Sequence, residues 1–223
     1  MNDAAARAVL FDVDGTLVDT NYHHAVTWAE AFRLSGHDVA ASTCHGLIGQ
    51  GSERLVESVL GHGDDAIVEA HSDLYGPQLH RLCALRGAAD LLRRAKECGL
   101  VVVLATSASA REAEYLRRAI DADDAIDHVT TKDDVEESKP EPDIVHAALA
   151  RAGVAAADAV FVGDTVWDVE AARRAGMGCV CVLTGGIAEQ VLREAGALEV
   201  YRDAVDLIDR FDASAIGALA RRG

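Results

Sequence analysis

Two aspartates two residues apart, Asp12 and Asp14, come directly after a short apolar run. Because they stand where a predicted β-strand ends, both carboxylates would lie at the carboxyl edge of a sheet, where open α/β sheets bind ligands. Gly15 allows the backbone to turn away sharply behind them. An Asp-Gly pair is also an ordinary turn signal, and for this pair alone a structural turn and a functional site have about equal weight.

A second acidic pair follows another apolar run: Asp164 comes after Gly163, and Asp168 falls in the first turn of the next predicted helix. An aspartate at a helix start also has a structural explanation, through capping and the helix dipole. If both acidic pairs meet at one sheet edge, however, the four carboxylates would repel each other strongly without a cation. Mg²⁺ is the hard, oxygen-seeking ion that suits such a set.

Two further positions supply groups that bind anions. Thr106 and Ser107 end another apolar run, where a hydroxyl and the free N–H groups of the following helix can hold an anionic oxygen, although simple N-capping is the commoner role. Lys139 is one of only three lysines, and it precedes Pro140 and Pro142. The two prolines stiffen the turn and begin a helix, which fixes the direction of the lysine side chain. A solvated surface lysine is the alternative at any single position.

The elements that must position these residues alternate along the chain. Continuous apolar runs predict strands at 8–11, 100–105, 159–162 and 178–183, with weaker ones at 126–129 and 198–201. Helical patterns lie between them at 88–98, 109–120, 142–152 and 166–175. Strands without polar alternation are typical of a parallel sheet covered on both faces. The sequence therefore predicts an α/β fold, a doubly wound, parallel, Rossmann-like sheet.

One interval interrupts this alternation. Residues 17–85 contain helical patterns at 21–34, 52–60 and 64–82, the last broken near Pro77, and no convincing strand. We interpret 17–85 as an inserted, all-helical cap domain and residues 1–16 plus 86–223 as the catalytic core. Seven of the nine histidines fall in the insert without a His-x-x-x-His pair, and we do not expect a zinc cluster there.

Composition narrows the function classes. The 223 residues include 21 basic and 37 acidic ones, a net charge of −16, and half of the residues are hydrophobic. This balance argues against binding to nucleic acid or to an anionic membrane, since both need clustered cations. Neither a membrane-spanning run nor a signal-peptide pattern is present. Five scattered cysteines indicate reduced thiols, and we expect a cytoplasmic monomer or homodimer.

Taken together, the motifs resemble those of the haloacid dehalogenase superfamily of aspartate-nucleophile phosphotransferases. The resemblance lies in the helical-cap branch that includes phosphoglycolate phosphatase and β-phosphoglucomutase, and it extends over essentially the whole length. It includes DxDGTLxD at 12–19, the strand-ending Thr106, KPxPD at 139–143 and GDTxxD at 163–168. Four motifs in the right order are a strong signal, whereas each alone is weak.

The resemblance implies a phosphomonoester hydrolase with defined roles. Asp12 would be the nucleophile that forms an aspartyl-phosphate, and Asp14 would protonate the leaving oxygen and then activate water. Thr106, Ser107 and Lys139 would hold the phosphoryl oxygens. A small phosphorylated metabolite is the implied substrate.

The resemblance also implies a magnesium site and excludes two relatives. Mg²⁺ would be held by Asp12, the backbone carbonyl of Asp14, and Asp164, with Asp168 binding directly or through water. Dehalogenating members use no metal and no second aspartate, whereas this chain has Asp14 and the pair Asp164 and Asp168. Phosphonate-cleaving members need a cap lysine, and 17–85 contains none.

Two alternatives stay open. A sugar-phosphate mutase like β-phosphoglucomutase keeps both N-terminal aspartates but usually has an acidic residue at the position of Gly163 and no acid at that of Asp168, and this chain differs at both. A non-catalytic binding module with the same fold would be expected if a motif were broken, and none is.

Substrate choice is assigned to the cap. His24, Gln50, Ser52 and Arg54 flank the first cap helix and the Gly-rich turn 46–51, which in this cap class often faces the active site. Arg54 would either contact a substrate anion or lie on a helix surface. Linkers near 16–20 and 84–87 are the expected hinges for closure.

Overall fold

The computed structural model describes residues 6–222 of the chain. Residues 1–5, part of the segment in which no signal-peptide pattern is found, and residue 223 lie outside the described residues. Across the described range, every helix is too short or too polar to traverse a bilayer.

Six parallel strands form one sheet in the order β3-β2-β1-β4-β5-β6. They are β1 Ala8–Phe11, β2 Val101–Ala105, β3 His128–Thr130, β4 Ala159–Gly163, β5 Gly178–Val182 and β6 Glu199–Tyr201. The strand order reverses beside the central β1, which is the point where doubly wound sheets bind ligands. The predicted fold class is confirmed, and β3 lies about one residue further along the chain than its apolar pattern predicts.

Both faces of the sheet are buried, as the continuous apolar runs predict. In β1, Val9 and Phe11 belong to a cluster that includes Leu91 of the helix after the cap, whereas Leu10 packs on the opposite face. That opposite cluster includes Phe161 of β4. Side chains alternate across a strand, and four consecutive apolar residues therefore supply both layers of the core.

Helices cover the two faces of the sheet. They are α5 Ala88–Glu97, α6 Ala110–Ile120, α7 Asp143–Ala152, α8 Val166–Arg174, α9 Glu189–Ala195, α10 Ala204–Asp209 and α11 Ala215–Ala220. Ser109 begins α6 with a capping box, because its hydroxyl accepts from the Glu112 N–H while the Glu112 carboxylate accepts from the Ser109 N–H. This cap fixes the loop that follows Thr106.

The segment between β1 and β2 is helical. It comprises α1 Asn21–Leu34, α2 Ala41–Leu47, α3 Ser52–Leu60, α4 Asp65–Tyr75 and a 3₁₀ segment Gly76–Arg81. Pro77 explains why α4 stops at Tyr75 rather than running to 82, since proline has no N–H for the helical hydrogen bond. Helix α2 was not predicted; buried Cys44 holds it in the cap cluster.

This helical segment has its own hydrophobic cluster, built on Trp28, Phe32, Leu55 and Ile67. The two linkers lie side by side: the Asp19 N–H donates to the Cys83 carbonyl at 3.0 Å, and the Leu85 N–H donates to the Leu17 carbonyl at 2.9 Å. On this basis we retain, as a proposal, a core of 1–16 plus 86–223 and a cap of 17–85.

Candidate active site

The sheet register brings the three motif-bearing strand ends together. β1 pairs with both β2 and β4, and the Asp12 N–H donates to the Val162 carbonyl at 2.8 Å, which extends the ladder one residue past β1. Asp12, Thr106 and Asp164 therefore follow adjacent strands at one edge. Asp12 and Asp164 are 5% and 0% exposed.

Three carboxylates form a compact buried group. Asp12, Asp164 and Asp168 each place an oxygen within 4.8 Å of the others, and all three are buried. Burial raises the pKa of Asp12 to about 7, against the opposing effect of Lys139. Burial, together with the charges of Asp168 and Asp12, also raises the pKa of Asp164 well above its usual value. Burial and mutual repulsion disfavour the ionised forms of these carboxylates. A divalent cation would fit the group, because its charge would favour those ionised forms.

Lys139 is buried among these carboxylates, with 0% of its side chain exposed. Its Nζ atom lies 2.5 Å from Asp12 Oδ1 and 2.7 Å from Asp168 Oδ1, and it lies over the Phe161 ring at 5.3 Å. Burial alone would lower the lysine pKa, but the two carboxylates raise it above its usual value, and Lys139 stays charged. The structure thus places a permanent cation against the predicted nucleophile.

Asp14 has a different environment from Asp12. Thr106 Oγ1 donates to Asp14 Oδ2 at 3.1 Å, and His24 Nε2 lies 3.6 Å from Asp14 Oδ1. Burial alone would raise the pKa of Asp14, but the nearby His24 imidazole, helped by Thr106, holds it below its usual value. The pKa values of Asp12 and Asp14 are therefore shifted in opposite directions, because the two carboxylates lie in different electrostatic environments.

Two residues that the sequence analysis did not single out hold Asp164. Thr16 Oγ1 donates to Asp164 Oδ1 at 2.8 Å, and Asn21 Nδ2 donates to Asp164 Oδ2 at 2.9 Å. Thr16 lies inside the first motif, which was a usable signal, whereas Asn21 comes from α1 in the cap. Cap and core thus share one hydrogen-bond network at the carboxylates.

Asp168 caps helix α8 and also belongs to the buried carboxylate group. Its Oδ2 accepts from the Thr165 hydroxyl at 2.7 Å, and its own N–H donates to Thr165 Oγ1 at 3.3 Å, which is a capping box at the start of α8. Its Oδ1 is the atom that contacts Lys139. The helix cap therefore fixes the orientation of a carboxylate that also faces the buried group.

A cavity of about 290 Å³ lies between the cap and the core. Among the predicted site residues, it is lined by Asp12 and Asp14 from the segment after β1, by Ser107, and by His24, Gln50 and Ser52 from the cap. Arg54 does not line it: Arg54 Nη1 lies 3.5 Å from Glu141 Oε1. Of the two alternatives for Arg54, the structure therefore favours the position on the helix surface.

An aromatic stack forms the cap wall of this cavity and was missed in the sequence. His71 stacks on Trp28 with ring centroids 3.8 Å apart, and His24 stacks on Tyr75 at 4.0 Å. His24 Nδ1 and His71 Nε2 lie within hydrogen-bonding distance, at 3.2 Å. The spacing contained a signal, because His24 and Trp28 on α1, and His71 and Tyr75 on α4, are each four residues apart and therefore share a helix face.

The Gly-rich turn of the cap rests on the core. Gly49 has φ +101°, and a Cβ there would lie 2.9 Å from Thr165 Oγ1 and 3.1 Å from Trp167 Cδ1. Only glycine fits this backbone and this approach. Trp167 is therefore a packing residue under the cap turn. His45 adds a second contact, with Nε2 2.8 Å from the Gly185 carbonyl oxygen.

We expect the cap to lose stability at acidic pH because of His71. Burial, reinforced by the charges of His24 and Lys132, lowers the pKa of His71 to about 2. Between pH 6.5 and 2 the unfolded chain therefore binds a proton that the folded chain does not, and the free energy of unfolding falls as pH decreases. The loss is about 1.4 kcal/mol per pH unit below 6.5.

Denaturant unfolding of wild type and His71→Phe between pH 8 and 5 checks this expectation. The phenylalanine keeps a stacked ring and cannot titrate. The difference at pH 8 measures the packing change alone, and below pH 6.5 the wild type should lose stability faster than the variant. Parallel pH profiles would contradict the assignment.

The molecule is thus an α/β protein whose parallel sheet carries a buried acidic group at one edge, with a cavity between that edge and the helical cap. A family model described as a haloacid dehalogenase-like hydrolase matches residues 6–176. The chain belongs to this family and is a hydrolase.

The similarity to known proteins covers most of the chain. The validoxylamine A 7′-phosphate phosphatase of Streptomyces hygroscopicus subsp. limoneus is 29% identical, over 86% of this chain and 92% of its own. A crystal structure of a hydrolase from Pseudomonas syringae has a TM-score of 0.88 and 32% identity, covering 94% of this chain and 99% of the other. CbbY from Rhodobacter sphaeroides, solved in complex with phosphate, has a TM-score of 0.73 and 28% identity, covering 91% and 96%.

Proposed function

We propose that this hydrolase is a Mg²⁺-dependent phosphatase that releases inorganic phosphate from a small phosphorylated metabolite through an aspartyl-phosphate on Asp12. The observation that carries the proposal is the convergence of Asp12, Asp164, Asp168 and Lys139 at the sheet edge, where Asp12 also lines the cavity between cap and core. Two similar proteins support it, since one is named as a phosphatase of a phosphorylated compound and the other was solved with phosphate.

Asp12 supplies the nucleophile. A carboxylate oxygen attacks phosphorus, the new O–P bond forms an acyl phosphate, and the bond from phosphorus to the leaving oxygen breaks. Both reactants are anions, and their repulsion must be offset. Lys139, 2.5 Å from Asp12 Oδ1, favours the ionised nucleophile and stabilises negative charge on the transferring group.

Asp14 moves the proton. It donates a proton to the leaving oxygen in the first step and accepts one from water in the second, when water attacks the acyl phosphate and frees Asp12. His24 and Thr106 hold Asp14 ionised in this structure, which is the form the second step needs. The negative charge of an arriving phosphoryl group would raise the pKa of Asp14 and so favour the protonated form required first.

Asp12, Asp164, Asp168 and the Asp14 backbone carbonyl are the groups that would hold Mg²⁺. The ion would neutralise charge on the phosphoryl group. Thr16 and Asn21 orient Asp164 by donating to both of its oxygens. Thr106 and Ser107 are proposed ligands of the phosphoryl oxygens, and Ser107 lines the cavity beside Asp12.

A steric coupling favours hydrolysis over the mutase alternative. A Cβ at position 163 would lie 2.5 Å from the Cγ of Asp168. An acidic residue at 163 and Asp168 in its observed position are therefore mutually exclusive, and this chain has the glycine together with the second acid.

We also propose a cytoplasmic location and a monomer or homodimer, on the basis of five free thiols among the described residues and the acidic surface.

A phosphate-release screen over many phosphomonoesters tests the function. We expect turnover that chelation with EDTA abolishes and that Mg²⁺ restores, because the buried carboxylates and the phosphoryl group need a divalent cation. Equal release with EDTA would contradict the Mg²⁺ requirement. Conversion of β-glucose 1-phosphate to glucose 6-phosphate without phosphate release would indicate the mutase, and inertness toward every ester would indicate a binding module.

A further inference from the structure

Two buried polar groups in the cap wall of the cavity have no hydrogen-bond partner among residues 6–222. They are the hydroxyl of Tyr75 and the side-chain nitrogen of Gln50. Both residues line the cavity, and they are only 2% and 8% exposed. Buried polar groups are nearly always paired in folded proteins, and two orphaned groups on one cavity wall therefore point to a ligand that pairs with them.

The Gln50 amide is held at one end only. Ser58 Oγ donates to Gln50 Oε1 at 3.3 Å, which leaves the nitrogen without a partner. If the amide is turned over, the oxygen becomes the orphan instead. Gln50 also follows Gly49, whose close approach to Thr165 seats this turn on the core. In either orientation, one polar atom of this amide is buried without a partner on a residue that lines the cavity.

The Tyr75 hydroxyl stays protonated. Burial and the nearby charges of Asp14 and Glu112 raise the Tyr75 pKa above its usual value, and the group remains a neutral donor and acceptor. Its ring is fixed by stacking on His24 at 4.0 Å. A partner for this hydroxyl would lie close to Asp14, the proposed acid for the leaving oxygen.

The cap side of the cavity contains no lysine or arginine among the lining residues. It consists instead of stacked rings and of apolar side chains such as Leu55 and Leu79. The lining cations, Arg111 and Lys132, come from the core side, next to Glu112. The cap wall therefore offers rings, apolar surface and hydrogen-bonding groups but no lysine or arginine, and it suits a substrate part that is uncharged, hydrogen-bonding and backed by carbon.

We infer that Tyr75 and Gln50 recognise hydroxyl groups on the leaving alcohol, and that the substrate is the phosphomonoester of a polyol, meaning a sugar or a cyclitol. This inference rests on the proposed phosphatase function and deepens it. A site whose buried donors are paired only by substrate hydroxyls rejects the analogue without them, because the donors then stay unpaired.

Matched substrate pairs test the inference. Glycerol 3-phosphate is compared with propyl phosphate, and glucose 6-phosphate with hexyl phosphate; p-nitrophenyl phosphate serves as the common reference. We expect wild type to prefer the hydroxylated member of at least one pair by about tenfold or more in kcat/KM.

Two variants remove the polar groups with little change in shape: Tyr75→Phe and Gln50→Met. Each should lower kcat/KM for the hydroxylated member about three- to tenfold, mainly through KM, and leave the alkyl ester and p-nitrophenyl phosphate within about twofold. The melting temperature of Tyr75→Phe should equal or exceed that of wild type, since an unpaired buried hydroxyl is removed. Tyr201→Phe is the matched control, because the Tyr201 hydroxyl donates to Glu199 outside the cavity.

The outcomes distinguish a failure of the hydroxyl assignment from a failure of the proposed phosphatase function. The hydroxyl assignment would be overturned if the variants lost kcat/KM equally on both members of each pair, or if wild type turned over the two members equally. The proposed phosphatase function would be unaffected by either result. A preference for esters with a second anionic group that is unaffected by Tyr75→Phe would also overturn it. Wild type that hydrolyses no ester, p-nitrophenyl phosphate included, would overturn both.

Discussion

Replacing Asp12 by asparagine should lower kcat by at least about 10⁴-fold, because the neutral amide cannot form the acyl phosphate. The substitution keeps the shape of the side chain at the centre of the sheet edge. It also leaves Lys139 paired with Asp168 at 2.7 Å. Burial raises the pKa of Asp12 to about 7, which shows that the charge at this position is costly to the fold. Stability should therefore change by no more than about 1 kcal/mol.

Steady-state phosphate release and a melting curve for Asp12→Asn measure both parts of this expectation. Acid-quenched wild type, mixed briefly with substrate, should also yield a peptide containing Asp12 that carries one phosphoryl group. The matched control is Asp73→Asn, which makes the same chemical change at an exposed position on α4 and should keep activity within about twofold. Full Mg²⁺-dependent activity in freshly prepared Asp12→Asn would show that the nucleophile lies elsewhere.

Asp14→Asn should lower kcat by about 10²- to 10⁴-fold on an alkyl phosphate, since both proton transfers lose their donor and acceptor. The effect should depend on the leaving group. Because p-nitrophenolate leaves without a proton, the first step on p-nitrophenyl phosphate should survive while attack by water is slowed. The asparagine oxygen can still accept from Thr106, which contacts Asp14 at 3.1 Å, and the site should keep its shape.

Pre-steady-state mixing distinguishes these steps. Asp14→Asn should release a burst of p-nitrophenolate close to one equivalent per enzyme, followed by slow turnover, while the aspartyl-phosphate on Asp12 accumulates. Asp73→Asn should reproduce the wild-type trace. An equal slowing of both steps, with no burst and no dependence on the leaving group, would contradict the divided roles of Asp14.

The site explains how a chain of net charge −16 can bind an anionic phosphoryl group. Most arginines pair with surface acids, as Arg117 does with Asp123 and Arg151 with Asp134. Lys139 is different because it is fully buried beside the nucleophile. Attraction of an anionic substrate is therefore local, and it depends on Lys139, on the cavity-lining Arg111 and Lys132, and on the proposed divalent cation rather than on the overall charge.

The sequence-based prediction was incomplete where packing outweighs local signals. Helix α2 has weak helix formers, including Gly46 and Thr43, and it is held by burial of Cys44 in the cap cluster. Arg54 has a charge suited to a phosphate and a position near the Gly-rich turn, yet Glu141 from the core engages it outside the cavity. Neither the packing around Cys44 nor the partner of Arg54 can be inferred from neighbouring residues.

The sequence by itself determined the sheet and the proposed core of the site. Apolar runs with acids or hydroxyls at their ends are local patterns, and parallel strands necessarily bring their carboxyl ends to one edge, which is why Asp12, Thr106 and Asp164 were found together. Only the tertiary structure decided what faces them from the cap. The four-residue spacing shows that His71 and Tyr75 share one face of α4. They line the cavity because that face packs on α1, and nothing near them in the sequence shows which helix they pack against.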